Sequence, residues 1–263
     1  MSEVKYTTAL AKGQGAIEET ISLLRIWEPQ MTPSELARKV VSEGVLSKAT
    51  AKRAKDLVFE MFAPRYLRDN GRPAAQLKTL VEANIEPVST GQLFLIYTSR
   101  ANLILRDFIC EVYWKKYLAG FHNLTKEDAV TFIETSYNMG KLPSRWSEKM
   151  VSRVASYLGG CLADFGLLET GRKSERAILA FRVRTLTALY LAYELHFSGY
   201  SDNAILDHPD WQLFGLERMD VLKELQRISN NYFIPQFSGE FLRISWMYNS
   251  MEEVLHVIAR SGL

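Results

Sequence analysis

The sequence predicts a mainly α-helical protein with helix-turn-helix and winged-helix-like modules and a small C-terminal β-hairpin. Three observations carry that expectation. Apolar residues recur at three- to four-residue spacing through most of the chain, as on one face of a helix. Helix-start signatures stand at Thr32 to Glu35 and at Ser250 to Glu253. Two stretches, 178–184 and 232–246, instead alternate apolar and polar side chains in the manner of a strand.

Taken in order, Ile17, Ile21, Leu24 and Trp27 mark a first helix after the Gly13-Gln14-Gly15 break. In the next segment Thr32 is a capping hydroxyl, Pro33 loses no needed hydrogen bond at the first helical position, and Glu35 completes a capping box. Leu36, Val40 and Val41 give that helix an apolar face, and Gly44 ends it in the left-handed conformation. Ser47 reads as the cap of a second helix starting at Lys48, which opens with Lys48, Lys52, Arg53 and Lys55 interleaved with Ala49, Ala51 and Ala54. A helix-turn-helix presents its second helix to the DNA major groove, and small residues between long cations let a backbone approach phosphates.

Helices are expected over 74–83 and over 91–118, the second continuous or interrupted, and Thr125 caps another. A second module starts near Leu142-Pro143, dividing the chain into domains 1–140 and 141–263. Its long helix carries Met150, Val154, Leu158 and Leu162 and ends at Gly166-Leu167-Leu168. After a turn at Gly171-Arg172-Lys173, residues 178–197 read either as a strand followed by a helix or as one helix; the first alternative resembles the end of a winged-helix unit. Near the C-terminus Tyr232-Phe233-Ile234, a turn at Pro235 to Gly239, and Phe241 to Trp246 form a hairpin.

Charge is uneven along the chain. Residues 48–78 hold eight cationic side chains against three acids, and residues 141–184 hold nine against four, each a net +5. Residues 185–263 hold five against ten, a net −5, so a polyanion suits the first two segments and solvent or a protein partner suits the third. The two cysteines, Cys110 and Cys161, exclude a disulfide framework or zinc finger and suit a reducing cytoplasm. Neither a signal peptide nor a membrane span is expected.

Catalytic patterns are absent. Gly13-Gln14-Gly15 lacks a preceding strand and a following Gly-Lys-Ser, so it is no phosphate loop. The four histidines are dispersed, and Asp207-His208-Pro209-Asp210 reads as a polar turn rather than a metal site. No nucleophile elbow is present. The expectation is a non-enzyme with no catalytic residues, no metal and no cofactor. Trp114 beside Lys115 and Lys116, and Tyr66 between Arg65 and Arg68, are the sole stacking candidates for single strands and read better as core residues.

The chain also resembles a known family at both ends. Tyr6-Thr7-Thr8-Ala9-Leu10, Gly13-Gln14-Gly15 and Ile17-Glu18-Glu19-Thr20, then Val45-Leu46-Ser47-Lys48 and Thr50-Ala51-Lys52-Arg53, resemble the opening of the BrxA family of BREX phage-defence systems. Arg243-Ile244-Ser245-Trp246 and Ser250-Met251-Glu252-Glu253-Val254 resemble its closing strand and helix. The resemblance implies a mainly helical cytoplasmic component of an anti-phage island, associated with DNA and with other proteins of the system, and it transfers no active site.

Together these readings lead to a non-enzymatic protein that binds double-stranded DNA. Lys48, Lys52, Arg53 and Lys55 contact the duplex, Arg65 and Arg68 the flanking backbone, and Arg172, Lys173 and Arg176 form a second contact like a wing. The alternative is an assembly subunit that docks on protein partners and binds little DNA.

Overall fold

The computed structural model describes residues 5–261 other than 48, 172, 230, 231, 239 and 240. Two compact units emerge: one comprises the chain up to Lys78 together with Phe94–Phe181, the other Thr79–Leu93 together with the chain from Arg182 onward. The protein is mainly α-helical.

In the first unit Tyr6 anchors the start of the chain. It is buried, its hydroxyl donates to Asp107, and its backbone N–H donates to the Lys141 carbonyl at 2.8 Å. Helix α1 (Ile17–Ile26) bears Glu18 and Glu19 in its first turn, where carboxylates complement the positive end of the helix dipole. At its other end the Lys78 ammonium donates to the carbonyls of Leu24, Arg25 and Trp27 at 3.1, 2.7 and 3.0 Å, satisfying acceptors that a helix terminus leaves open.

Helix α2 (Pro33–Ser42) starts on the expected capping box: the Glu35 N–H donates to Thr32 Oγ1 at 3.3 Å and the Thr32 N–H to the Glu35 carboxylate at 2.8 Å. It ends before Gly44, whose φ of +63° is left-handed. Helix α3 (Ala51–Asp56) starts later than the sequence suggests. Its cap is Thr50, whose hydroxyl accepts from the Arg53 N–H at 3.2 Å, and Ser47 belongs to the connecting turn. The helical path continues through a π-helical stretch, Leu57–Phe62, and one more α turn, Ala63–Tyr66. Pro64 accounts for that widening: it has no N–H for the Glu60 carbonyl, and its ring would crowd that oxygen in a regular α turn.

Helices α4 (Arg72–Glu82) and α5 (Pro87–Ala101) each contribute to both units. Helix α6 (Leu103–Phe108) follows a break at Asn102, at φ −134° and ψ 87°, and extends through Ile109–Tyr113 to Trp114–Leu118. The helical run over 91–118 is therefore interrupted. Next come strand β1 (Asn123–Thr125), helix α7 (Lys126–Asn138) on a Thr125–Asp128 capping box, helix α8 (Glu148–Asp164) capped by Ser147, and strand β2 (Glu175–Ala177). Strand β2 pairs antiparallel with β1 on one side. On its other side Leu168 bridges Ile178, the Glu169 N–H donates to the Ala177 carbonyl at 2.9 Å, and the Leu179 N–H donates to the Leu167 carbonyl at 3.0 Å. The order from α6 is thus helix, strand, helix, helix, hairpin.

Residues 178–197 are neither one helix nor the strand read from the alternation of Leu179, Phe181 and Val183. Strand pairing ends with the Leu179 N–H bond, an irregular connector carries Phe181 and Val183, and helix begins at Thr185.

The second unit is built around that helix, α9 (Thr185–Phe197), in which every residue from Leu186 to Leu195 is buried. Gln92, also buried, bridges the connector: its Nε2 donates to the Arg182 carbonyl at 2.7 Å and its Oε1 accepts from the Arg184 N–H at 2.9 Å. Around α9 lie α10 (Asp202–Leu206), α11 (Arg218–Ile228), the antiparallel hairpin β3 (Phe233–Ser238) and β4 (Phe241–Trp246), and α12 (Met251–Ser261). The hairpin is as expected, but Pro235 sits within β3 opposite Ile244 rather than in the turn. The N–H groups of Leu242 and Ile244 point away from β3, to Asn203 Oδ1 at 3.2 Å and Asp202 Oδ2 at 2.8 Å. Positions 235 and 244 are therefore a pair that exchanges no ladder bonds, and a proline there removes no donor from the ladder.

An aromatic cluster joins α9 to the hairpin. Tyr193 donates to the Tyr232 carbonyl and accepts from the Met247 N–H at 3.3 Å. His196 stacks on Trp246, with ring centroids 4.2 Å apart. Burial holds the His196 pKa below its ordinary 6.5, opposed by the nearby Asp202 carboxylate. A folded-state pKa below the unfolded value means that the unfolded chain takes up the proton first, so this stabilising contribution is full above about pH 6.5 and is lost as pH falls through the interval below it. Thermal denaturation followed between pH 7.5 and 5 should show Tm falling across that range, and His196→Phe should flatten the decline.

Candidate nucleic-acid interface

The cations named from the sequence divide into surface and structural groups. Lys52, Arg53 and Lys55 are exposed around the first turns of α3, with Ala54 buried beneath them. Among the described residues none of the three makes an ion pair. Lys52 and Arg53 stand at the second and third positions of α3, near the positive end of the helix dipole and with no acid in the first turn, an arrangement that disfavours the helix by a few tenths of a kcal/mol per charge. Local stability does not explain it. Lys48 lies outside the described residues. Residues 43–50 connect α2 to α3, a longer link than the three to four residues of a helix-turn-helix turn.

Arg68 is exposed at the end of the same helical path. Arg65 is not part of this surface. It is 3 % exposed, and its guanidinium donates to Thr98 Oγ1 at 3.3 Å. Position 65 falls on the buried side of the path beside Tyr66, which makes its cation a core group. Lys78, counted in the same basic segment, is committed to the end of α1. Tyr66 and Trp114 are buried, so neither stacks on a base.

In the second module Lys173 is exposed and Arg176 half-buried on β2, where it donates to the Gly159 carbonyl of α8 at 3.2 Å. Arg172 lies outside the described residues. Lys126, Ser156, Lys173, Ser174 and Arg176 line a recess of about 330 Å³ along α8. The sequence does not single out Lys126, which is set there by its donation to Ser152 Oγ at 2.7 Å, and it counts Lys149 and Arg153, both exposed on α8, in the basic segment 141–184 without assigning them a contact. Their four-residue spacing was visible in the chain. Which face of α8 meets solvent was not.

Both modules meet at the Gly13-Gln14-Gly15 loop. A Cβ on Gly13 would lie 2.5 Å from Met61, one on Gly15 2.5 Å from the Asp164 Cβ, and one on Gly160 2.5 Å from the Gln14 side chain. The Gly15 N–H donates to Asp164 Oδ2 at 3.0 Å. Desolvation raises the Asp164 pKa from its ordinary value against the opposing pull of the Gly15 N–H and Arg176. Arg53, Gln14, Glu18, Glu19 and Asp164 border a recess of about 340 Å³ at this junction. Three carboxylates there make it unsuited to phosphate.

Metal and thiol chemistry find little support. Among the described residues no group of three or more His, Cys, Asp or Glu side chains is placed to hold a metal ion. Cys161 is buried and its thiol is pushed well above its ordinary pKa by desolvation, which disfavours the reactive thiolate. His208 accepts the Asp210 N–H at 3.3 Å and caps a short 3₁₀ turn, a structural role. No helix of the described residues is long and apolar enough to cross a membrane.

A mainly helical protein carrying two exposed basic modules is the class that fold and surface define. The BrxA family model matches residues 4–193, and the chain belongs to that family, which ties it to BREX phage defence. Among solved structures it is similar to an uncharacterized protein from Magnetospirillum magneticum, with a TM-score of 0.59 and 16 % identity over 73 % of this chain and 95 % of that one, a likeness of fold alone. No curated protein matches.

Two substitutions test the structural assignments. Gly15→Ala should lower Tm by several degrees, because its Cβ meets the α8 side chain. Arg65→Ala should destabilise the fold by about 1–3 kcal/mol, the range for disrupting a buried hydrogen bond, without changing the salt dependence of any DNA binding. Chemical denaturation and a binding titration read the two effects.

Proposed function

We propose that this chain is a non-enzymatic DNA-binding accessory component of its BREX system, acting in the cytoplasm and contacting duplex DNA through basic helices. The observation that carries the reading is the cluster of Lys52, Arg53 and Lys55: exposed, without ion pairs among the described residues, and with Lys52 and Arg53 set against the helix dipole. Arg68, exposed beyond the far end of the same helical path, would add a flanking backbone contact. The helix, strand, helix, helix, hairpin order over 103–179 supports a winged-helix reading of the second module, with Lys173 and Arg176 on the wing. Arg172 belongs to the same loop by sequence. Arg65 drops out.

Binding by such residues is salt-dependent, because each neutralised phosphate releases counterions. No Asn or Gln lies between Ala51 and Tyr66, so α3 is not equipped for the bidentate adenine contact that those side chains make. A second reading, an assembly subunit for other proteins of the system, draws on the excess of acids in residues 185–263.

Titration of a fluorescent random-sequence duplex across a salt series separates the two. The wild type should bind with a steep salt slope, and a Lys52→Glu/Arg53→Glu variant should lose affinity and have its slope reduced by about two, near 0.9 per phosphate contact. Absence of wild-type binding even at low salt, with co-purification of other BREX proteins, would favour the assembly reading.

A further inference from the structure

We infer that helix α8, not α3, is the helix that enters the major groove, with Lys126, Lys173 and Arg176 gripping the phosphates on its flank. This rests on the DNA-binding reading and assigns its central contact.

The two helices differ in what they offer a duplex. Helix α3 is six residues long before its path widens, and Asp56 and Glu60 follow its cations within two turns. Helix α8 runs for 17 residues, of which the last turn, from Gly160 to Asp164, lies against the Gly13-Gln14-Gly15 loop; the turns before it stay clear of that loop, and residues 149–163 contain no acid. One face is committed to the core through Val154, Ala155, Leu158, Cys161 and Leu162. The opposite face presents Lys149, Arg153 and Ser156 to solvent at spacings of four and three, with Ser152 and Gly159 half-buried beside them. Small residues keep that face low between its cations, and a helix fits the roughly 12 Å width of the major groove only when its exposed face is slim.

The surroundings point the same way. Three cations from outside the helix converge on the same recess: Lys126 from the first turn of α7, Lys173 from the loop before β2 and Arg176 from β2. The Arg176 guanidinium and the Lys126 ammonium are fixed by bonds to α8 itself, to the Gly159 carbonyl and Ser152 Oγ. Helix α8 is also the second of two consecutive helices followed by a hairpin, the position from which a helix-turn-helix unit reads DNA. Arg153 is then placed for bidentate donation to guanine O6 and N7, and Ser152 and Ser156 for hydrogen bonds to base edges.

Dimethyl sulfate methylates guanine N7 in the major groove, so protection of N7 reports a helix seated there. A short G·C-rich duplex saturated with the full chain should show protected N7 positions. Lys149→Glu/Arg153→Glu should abolish that protection and weaken binding at least tenfold, with circular dichroism unchanged. Lys52→Glu/Arg53→Glu should weaken binding yet leave the protection in place once the duplex is saturated. Tight wild-type binding with fully reactive N7, or a Lys149→Glu/Arg153→Glu variant that binds and protects like wild type, overturns the assignment to α8 while leaving DNA binding standing. No wild-type binding at low salt overturns both.

Discussion

The close approach of the N-terminal loop to helix α8 is the constraint on which the first unit depends. Gly13, Gly15 and Gly160 have no side chain where one would collide, and Gln14 and Ala16 adopt left-handed backbone at φ +48° and +44° to make the turn. That geometry costs conformational energy at two non-glycine residues, offset by the Gly15 bond to Asp164 and the burial of Leu10. At the same junction Arg53 of α3 lies beside the C-terminal end of α8. The glycine motif that resembles a phosphate loop in sequence is a packing device in the folded chain.

Cation count and surface charge are different quantities here. Arg65 is inside the core, Lys78 closes α1, Lys141 is bound by Asp107 and Glu111, and Lys39 bonds Glu28 and the Ile26 carbonyl. Among the cations left exposed are those on α3 and along α8. The distinction matters because a buried or paired cation acts on stability, whereas an exposed unpaired one acts on long-range attraction.

Much of the helical framework was legible in the sequence because helix starts are local chemistry. Thr32, Thr125 and Ser250 act as caps where a hydroxyl or a following carboxylate announces them. The start of α3 was misread because Ser47 and Thr50 are equally good caps, and only tertiary packing of Ala54 and Leu57 chooses between them. The alternation at 179–183 is neither strand nor a full burial pattern: Leu179 is exposed, Phe181 half-buried and Val183 buried, and the strands from 122–125 and 167–169 pair only with residues 175–179. Arg65 looked like its neighbours because a one-dimensional charge run does not reveal which side of a helix is buried.

The C-terminal hairpin carries its own protection against runaway assembly. On β4 the outward N–H groups of Leu242 and Ile244 are already taken by Asn203 and Asp202, and on β3 the outward-facing position 235 is a proline with no N–H to give. A strand from another molecule meets occupied donors at Leu242 and Ile244 on one edge and a missing donor at Pro235 on the other, where an ordinary two-stranded ribbon would offer a continuous template. Each interruption breaks the ladder that a third strand would need, so the hairpin is a poorer seed for aggregation than a bare ribbon of its length.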